Sequence, residues 1–159
     1  MSSGSSTCFL PATMTCTPFF FIASTRSAGA ASQTAIAVCE AAPADRVDAI
    51  KKKGAHVIVA GKKHVELPLL MKILREKFGV KKLMIEGGPT LNWHMLHDQL
   101  VDEIRLIHLP FIVGGSDTPS LVGGMHIDTE DQMIRLNLKK YYMCGSNLVS
   151  EFDVLYREA

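Results

Sequence analysis

An excess of either charge is absent from this sequence of 159 residues, which contains 17 basic and 16 acidic side chains. A net charge of +1 leaves no electrostatic surplus for gripping a phosphate backbone, so nucleic acid is not an expected partner. No apolar run approaches the roughly 20 residues that span a bilayer, and we expect no membrane insertion. The four cysteines form no CxxC pair and no metal-ligand spacing, which favours a reducing, cytoplasmic setting.

Several motifs of common enzyme classes are also missing. The sequence contains no GxSxG, HExxH, Walker loop or GxGxxG, so a standard dinucleotide fingerprint is absent. His94 and His97 lie three residues apart, a spacing that metal ligands can have, but no third ligand shares their predicted helix face. We therefore expect no metal site, and we interpret His56 and His108 as strand residues with local hydrogen bonds.

Acidic residues are absent from the first 33 positions. That segment holds one basic residue, Arg26, and 12 Ser or Thr residues, while 32 of the 33 charged residues lie in 34–159. A secretory signal, a transit peptide and an unstructured leader all remain open, and we favour the leader because the apolar patch at 19–23 is short and Arg is scarce. We expect 1–33 to be disordered and the folded domain to span 34–159.

Short β-branched runs alternate with helical patterns beyond Thr34. The predicted strands are 34–38, 56–60 and 82–86, with helices opening near Pro43 and Pro68 between them and a third helix from about Pro89 to Gln99. Parallel strands are the expected product of this order, because right-handed crossovers join neighbouring parallel strands. The sequence therefore predicts an α/β fold.

The pattern changes after residue 101. Residues 102–113 alternate in part, and 133–143 and 148–156 resemble two long strands joined at the hairpin-type turn 145–147, Gly-Ser-Asn. The sheet is thus expected to end in antiparallel strands.

The segment Glu86-Gly87-Gly88-Pro89-Thr90-Leu91 joins the third predicted strand to its helix. Ligands in open α/β sheets bind outside the carboxyl ends of the strands. Two glycines let the backbone approach a phosphate, and Pro89 suits a first helical position. The N–H groups of that helical turn, with the Thr90 hydroxyl, form an anion site. Two interpretations stay open on these residues alone: a phosphate cradle, or a tight turn that binds nothing.

Two neighbouring features carry the same ambiguity. Glu86 would end an otherwise apolar strand, where its carboxylate either orients a polar substrate or is an ordinary surface charge. The glycine-rich turns at 114–117 and 123–124 bracket a polar loop, which is either a ligand rim or a long connection.

Residues 34–159 resemble the C-terminal part of the riboflavin-biosynthesis reductase family, the 2,5-diamino-6-ribosylamino-4(3H)-pyrimidinone 5′-phosphate reductases. The same domain forms the reductase half of the bifunctional deaminase-reductase. The resemblance rests on residues 34–61, on the run EGGPTLN followed by LVDE and P-x-x-x-GG, and on the closing hairpin. It implies a dihydrofolate-reductase-like mixed sheet, with a parallel βαβαβ core followed by antiparallel C-terminal strands.

The resemblance also implies an activity and residue roles. Family members use NADPH to reduce the ribosylamino group of a pyrimidine ribosyl phosphate to a ribitylamino group, and a homodimer is suggested. Glu86 would contact the substrate, while no catalytic residue is identified. The residues that would bind NADPH are Gly87, Gly88, Pro89, Thr90 and Leu91.

The matched segment lacks a counterpart to the family's N-terminal part. By the size of a complete domain, about one hundred further residues precede the equivalent of Thr34. Those residues would supply the first strands and further cofactor and substrate contacts. We therefore expect this chain to be the C-terminal part of a reductase domain, and the alternative is a truncated, non-catalytic nucleotide-binding or assembly module of the same fold.

Overall fold

Nine regular strands and helices make up the described part of the chain. The computed structural model describes residues 19–25, 33–115, 117–124 and 127–156. A single-turn 3-10 helix at Glu130–Gln132 precedes the last two strands. Two compact units divide within the second helix, between Ile73 and Leu74. The elements are β1 (Phe19–Thr25), β2 (Gln33–Val38), α1 (Ala44–Lys52), β3 (His56–Val59), α2 (Leu67–Phe78), α3 (Pro89–His97), β4 (Glu103–His108), β5 (Arg135–Cys144) and β6 (Asn147–Leu155).

The first unit contains a three-stranded sheet in the order β1-β2-β3. β2 and β3 run parallel, with Ala35 opposite His56, and α1 connects them. Ala37 and Val38 are buried, as expected for a short apolar strand that is covered on both faces. The predicted strand-helix-strand unit and its parallel pairing are confirmed.

Helices α1 and α2 begin near the predicted prolines. Pro43 is the N-cap of α1, and Val47 and Ile50 lie on its less exposed face. Pro68 is the second residue of α2, whose Leu70 is fully buried. Apolar residues at helical spacing therefore identified both helices and their inward faces.

Strand β1 lies in the segment that we expected to be disordered. It pairs antiparallel with β2, with Ile22 opposite Ile36 and Thr25 opposite Gln33. Its sequence, FFFIAST, is rich in aromatic and β-branched residues, which favour strands. The structure thus differs from the expectation at 19–25. Residues 1–18 and 26–32 lie outside the described part. Their predicted disorder and the domain boundary near residue 34 stay predictions.

The prediction of a third strand at 82–86 is wrong. These residues are irregular, and within the described ranges no backbone hydrogen bond joins them to a neighbouring strand. A strand requires such a neighbour, because its N–H and C=O groups point away from their own segment. Leu83 and Ile85 are still half-buried while Met84 is 77% exposed, so exposure alternates along the segment although no strand is formed. The described parallel core is therefore βαβ rather than βαβαβ.

The second unit contains an antiparallel sheet in the order β4-β6-β5. β5 and β6 form a hairpin in which Cys144 pairs with Asn147 across the loop residues Gly145 and Ser146. Gly145 has a φ of +62°, the left-handed value that a type II′ turn requires at its first loop position. The predicted antiparallel C-terminal strands are confirmed.

The two faces of this sheet differ in chemistry. One face carries ion pairs, including Lys139 Nζ to Glu103 Oε1 at 2.9 Å and to Asp153 Oδ1 at 3.1 Å. The opposite face carries apolar side chains from all three strands. Those on β5 and at the start of β6 are substantially exposed: Leu136, Leu138, Tyr141, Met143 and Leu148.

No helix in the described ranges is both long and apolar enough to cross a membrane.

Candidate functional site

Helix α3 begins immediately after the glycine pair. Gly88 is the N-cap with an extended backbone, Pro89 is the first helical residue, and no side chain caps this end. The Asn92 N–H donates to the Gly88 carbonyl at 3.0 Å. The N–H groups of Thr90 and Leu91 therefore have no backbone acceptor among the described residues. Together with the positive end of the helix dipole, they form a set of donors for an anion.

The two glycines of the turn have different surroundings. A β-carbon on Gly87 would lie 2.7 Å from Oδ1 of Asn92 and 3.1 Å from Cδ2 of Leu91. A β-carbon on Gly88 would meet no atom within 4 Å. A side chain on Gly87 would therefore require the Asn92 side chain to move, whereas Gly88 leaves open space at the N-terminus of the helix. A bound phosphate could occupy that space without any rearrangement of the turn.

Glu86 directly precedes the glycine pair, on the irregular segment rather than at the end of a strand. Its side chain is exposed and forms no hydrogen bond or ion pair with another described residue. The carboxylate thus has its full set of acceptor positions available. Glu86 is adjacent in the chain to the candidate anion site, and its role in substrate binding stays a prediction.

The loop formed by residues 117–124 docks on the first two turns of α3. The Gly123 N–H donates to the Pro89 carbonyl at 3.0 Å, and Asn92 Nδ2 donates to the Leu121 carbonyl at 2.9 Å. Gly124, with a φ of +124°, packs so closely on the Trp93 indole that a β-carbon there would overlap the ring. The loop is therefore attached to the helix that carries the candidate anion site.

Sequence reasoning missed the residues that make this attachment. Asn92 lies in the EGGPTLN run, but no role was predicted for it, and no pattern in the sequence pointed to Leu121. The glycine pair at 123–124 was the available signal, because adjacent glycines often mark a close backbone approach. The structure shows that this approach is made to α3.

The histidines of α3 do not form a cluster of metal ligands. His97 Nδ1 lies 3.0 Å from Asp98 Oδ1, and the His97 ring is 5.7 Å from the Trp93 ring. Across the described ranges, no three His, Cys, Asp or Glu side chains are grouped so that they could hold a metal ion.

Glu151 is the most enclosed carboxylate of the second unit. Its side chain is only 12% exposed, and it contacts Arg105 Nη2 at 2.9 Å and Lys140 Nζ at 3.3 Å. The Tyr142 hydroxyl donates to Oε1 at 3.2 Å. Burial alone would raise the pKa of Glu151, but the Lys140 hydrogen bond, the Arg105 and Lys140 charges and the Tyr142 hydrogen bond together lower it. A carboxylate held ionised by three donors suits a structural role better than proton transfer.

Comparisons with known proteins identify the family. The RibD C-terminal domain family model matches residues 15–150, on both sides of the boundary that we expected near residue 34. Two relatives carry the name 2,5-diamino-6-ribosylamino-4(3H)-pyrimidinone 5′-phosphate reductase. The protein from Aquifex aeolicus is 43% identical over 122 residues, which cover 77% of this chain and 54% of the relative. The protein from Methanothermobacter thermautotrophicus is 46% identical over 121 residues, which cover 76% and 55%.

A solved structure agrees with these relatives. The crystal structure of a pyrimidine reductase-like protein from Corynebacterium diphtheriae matches with a TM-score of 0.62 and 25% identity, over 77% of this chain and 50% of that one. The match confirms the predicted dihydrofolate-reductase-like α/β fold class. The chain spans about half the length of each relative and of this structure. Because the family model covers most of its residues, this chain belongs to the RibD C-terminal domain family.

Proposed function

We propose that this chain forms part of an NADPH-dependent reductase of riboflavin biosynthesis. The reaction is the reduction of the ribosylamino group of a diaminopyrimidine 5′-phosphate to a ribitylamino group. Membership of the RibD C-terminal domain family and the names of the two relatives support this proposal. Because the chain spans about half of each relative, the complete activity belongs to the whole reductase domain.

The uncapped N-terminus of α3 is the observation that carries the cofactor assignment. The N–H groups of Thr90 and Leu91 have no acceptor among the described residues, and they face an end of the helix where Gly88 leaves open space. A phosphate of NADPH fits these donors, because helix N-termini stabilise anions through both hydrogen bonds and the dipole. The cofactor, when bound, supplies the hydride. The residues proposed to hold it are Gly87, Gly88, Pro89, Thr90 and Leu91.

Each of these residues has a physical reason for its role. Gly87 and Gly88 let the backbone turn and approach the phosphate, and Pro89 starts the helix without requiring an acceptor for an N–H group. Thr90 and Leu91 offer backbone N–H groups, and the half-buried Thr90 adds a hydroxyl. The chain thereby fixes one end of the cofactor, and orientation of the nicotinamide against the acceptor carbon accounts for the rate.

Glu86 is proposed to bind the substrate. Its exposed carboxylate precedes the cofactor turn and has no intramolecular partner within the described ranges. A carboxylate accepts hydrogen bonds from the hydroxyl and amino groups that a ribosylaminopyrimidine presents. The group is thus suited to orient the sugar or the ring rather than to bind the phosphate, which it would repel.

Titration of Trp93 fluorescence tests the proposal directly. Trp93 is the only tryptophan and lies three residues beyond Thr90 on α3. NADPH should quench its emission saturably through energy transfer to the reduced nicotinamide, and a parallel titration with NADH measures the preference between the two. Absence of binding up to millimolar NADPH would contradict the cofactor assignment.

A second candidate is a non-catalytic nucleotide-binding or assembly module of the same fold. The observation in its favour is that the chain spans about half of each relative. Turnover of the diaminopyrimidine phosphate separates the two candidates. NADPH binding without substrate reduction by this chain, alongside reduction by a longer chain that includes a family-typical N-terminal part, would establish the second candidate.

We also propose a homodimer in a reducing, cytoplasmic setting. The exposed apolar face of the β4-β6-β5 sheet supports self-association, because contiguous apolar surface favours burial against a partner. Cys144 carries a free thiol, which is compatible with a reducing compartment. Sedimentation velocity over a concentration series measures the oligomeric state.

A further inference from the structure

The side-chain amide of Asn92 lies between two loops of the candidate site. Its oxygen, Oδ1, packs on the backbone of Gly87, 2.7 Å from where a β-carbon would be. Its nitrogen, Nδ2, donates a hydrogen bond of 2.9 Å to the carbonyl of Leu121, which is 29 residues away in the chain. One amide thus contacts the glycine turn on one side and the 117–124 loop on the other.

Two further contacts attach the same loop to the same helix. The Gly123 N–H bonds to the Pro89 carbonyl at 3.0 Å, and a β-carbon on Gly123 would lie 3.1 Å from Cβ of Pro89. Gly124 packs directly on the Trp93 ring. The loop therefore contacts α3 at its first residue and again one turn later. Asn92 supplies the side-chain hydrogen bond of this attachment.

We propose that Asn92 is a positioning residue, which holds the glycine turn and the 117–124 loop in one arrangement so that the N–H donors of α3 meet the cofactor phosphate. This inference rests on the proposed function. A backbone anion site binds its ligand only while its N–H donors point to one place. Residues 82–86, which precede the glycine turn, are not held by a neighbouring strand in the described ranges. The Asn92 amide provides the restraint that a strand would otherwise provide.

The amide must be of this length and hydrogen-bonding type. An Asp side chain has the same shape but offers the Leu121 carbonyl an acceptor instead of a donor, so the two oxygens repel. An Ala side chain removes both contacts. In either variant the loop should separate from α3, and the environment of Trp93 should become more polar because Gly124 no longer covers the indole.

The test compares Asn92→Ala and Asn92→Asp with the wild type, with Asn137→Ala on the exposed strand β5 as the matched control. Two quantities are measured: the emission maximum of Trp93, which reports loop docking, and the dissociation constant of NADPH, measured by its own fluorescence. We expect both Asn92 variants to shift Trp93 emission to longer wavelength. Their NADPH dissociation constants should rise about fivefold or more, as for the loss of one hydrogen bond. Asn137→Ala should match the wild type.

The outcomes separate this inference from the proposed function. If the wild-type chain does not bind NADPH, both the proposed function and the role of Asn92 are contradicted. If the wild type binds NADPH and both Asn92 variants bind it with the same affinity, the positioning role alone is overturned. The positioning role is also overturned if the variants bind NADPH more weakly but Trp93 emission does not change. If the Asn92 variants do not fold, Gly124→Ala provides the same test from the loop side. Its methyl group overlaps the Trp93 ring, and it should shift the emission and weaken NADPH binding in the same direction.

Discussion

Gly87 and Gly88 are adjacent in the chain but differ in what surrounds them: a β-carbon on Gly87 would lie 2.7 Å from Oδ1 of Asn92, whereas one on Gly88 would meet no atom within 4 Å. A side chain at the first position would therefore displace the Asn92 side chain. The second leaves space beside the uncapped donors of α3. Substitutions at the two positions should consequently have separable effects.

Gly88→Val should weaken cofactor binding with little change in stability. A β-carbon at this position meets no protein atom within 4 Å, and the extended backbone of Gly88 suits a β-branched residue. The valine side chain would nevertheless fill the space that the phosphate needs. We expect the NADPH dissociation constant to rise at least tenfold, which is about 1.4 kcal/mol. Equal affinity in the variant and the wild type, measured by NADPH fluorescence, would remove this turn from the cofactor site.

Gly87→Ala should instead disturb the protein. Its methyl group displaces the Asn92 side chain, so the hydrogen bond to the Leu121 carbonyl is lost, at a cost of about 1 kcal/mol. Thermal unfolding and the Trp93 emission maximum measure the two effects. Gly88→Ala is the matched control and should leave both unchanged. A Gly87→Ala chain with the stability and emission of the wild type would show that the turn has more room than the structure indicates.

Glu86→Gln should impair substrate binding and spare the cofactor. The amide keeps the size of the side chain but removes the negative charge that attracts the hydroxyl and amino groups of the substrate. In the complete reductase, we expect a higher KM for the diaminopyrimidine phosphate at an unchanged NADPH dissociation constant. Glu76→Gln, at an exposed position on α2, is the matched control. An unchanged substrate KM would contradict the role of Glu86.

Stability should decrease in acid through Glu151. Its pKa is lowered in the folded state, so the unfolded chain takes up the proton first, near the ordinary value of about 4.3, and the folded carboxylate does so only at lower pH. Its contribution to the free energy of unfolding is therefore complete above that pH and is lost as the pH falls through the folded-state pKa. Urea unfolding at a series of pH values measures this loss.

Glu151→Gln is the variant that isolates this effect. It should be less stable than the wild type at neutral pH, because Arg105 and Lys140 lose their partner, and the difference should shrink in acid. Glu130→Gln removes only an exposed pair at 4.0 Å and should follow the wild type throughout. A constant difference between Glu151→Gln and the wild type at all pH values would contradict the lowered pKa.

Met95→Ala should cost about 2–5 kcal/mol of stability. Met95 is 1% exposed and lies on the buried side of α3, so its truncation removes buried apolar contacts and leaves a cavity. Met84→Ala provides the control, since Met84 is 77% exposed on the irregular segment before the glycine turn. Chemical unfolding measures both. Equal stability of the two variants would show that α3 is not anchored by this side chain.

Patterns within a short stretch of sequence were sufficient for most of the fold. Apolar spacing placed α2 and α3, Pro43 and Pro68 placed helix starts, and the Gly145 turn placed the β5-β6 hairpin. Each of these signals lies within about ten residues of what it predicts, and so it depends on local backbone preferences. The candidate anion site was predictable for the same reason, because a glycine pair followed by proline at a helix start is a local feature.

Features that depend on contacts between distant parts of the chain could not be predicted from the sequence. Residues 82–86 have the short apolar run of a strand but no described neighbour to pair with, and the strand is not formed. β1 is rich in residues that favour strands, but its place in a sheet is defined only by its pairing with β2. The link from Asn92 to Leu121 joins positions that no spacing rule connects.

The sequence by itself determined the helix starts, the hairpin and the run of residues from Glu86 to Leu91 that forms a turn with free donors at the N-terminus of α3. Only the tertiary structure decided which glycine lies against the Asn92 side chain and which has open space around its β-carbon position, and that Asn92 joins the turn to the loop at 117–124. The physical reason is the range of the interactions. Backbone preferences and helix capping act between neighbours in the chain, whereas strand pairing and side-chain packing depend on which distant segments meet.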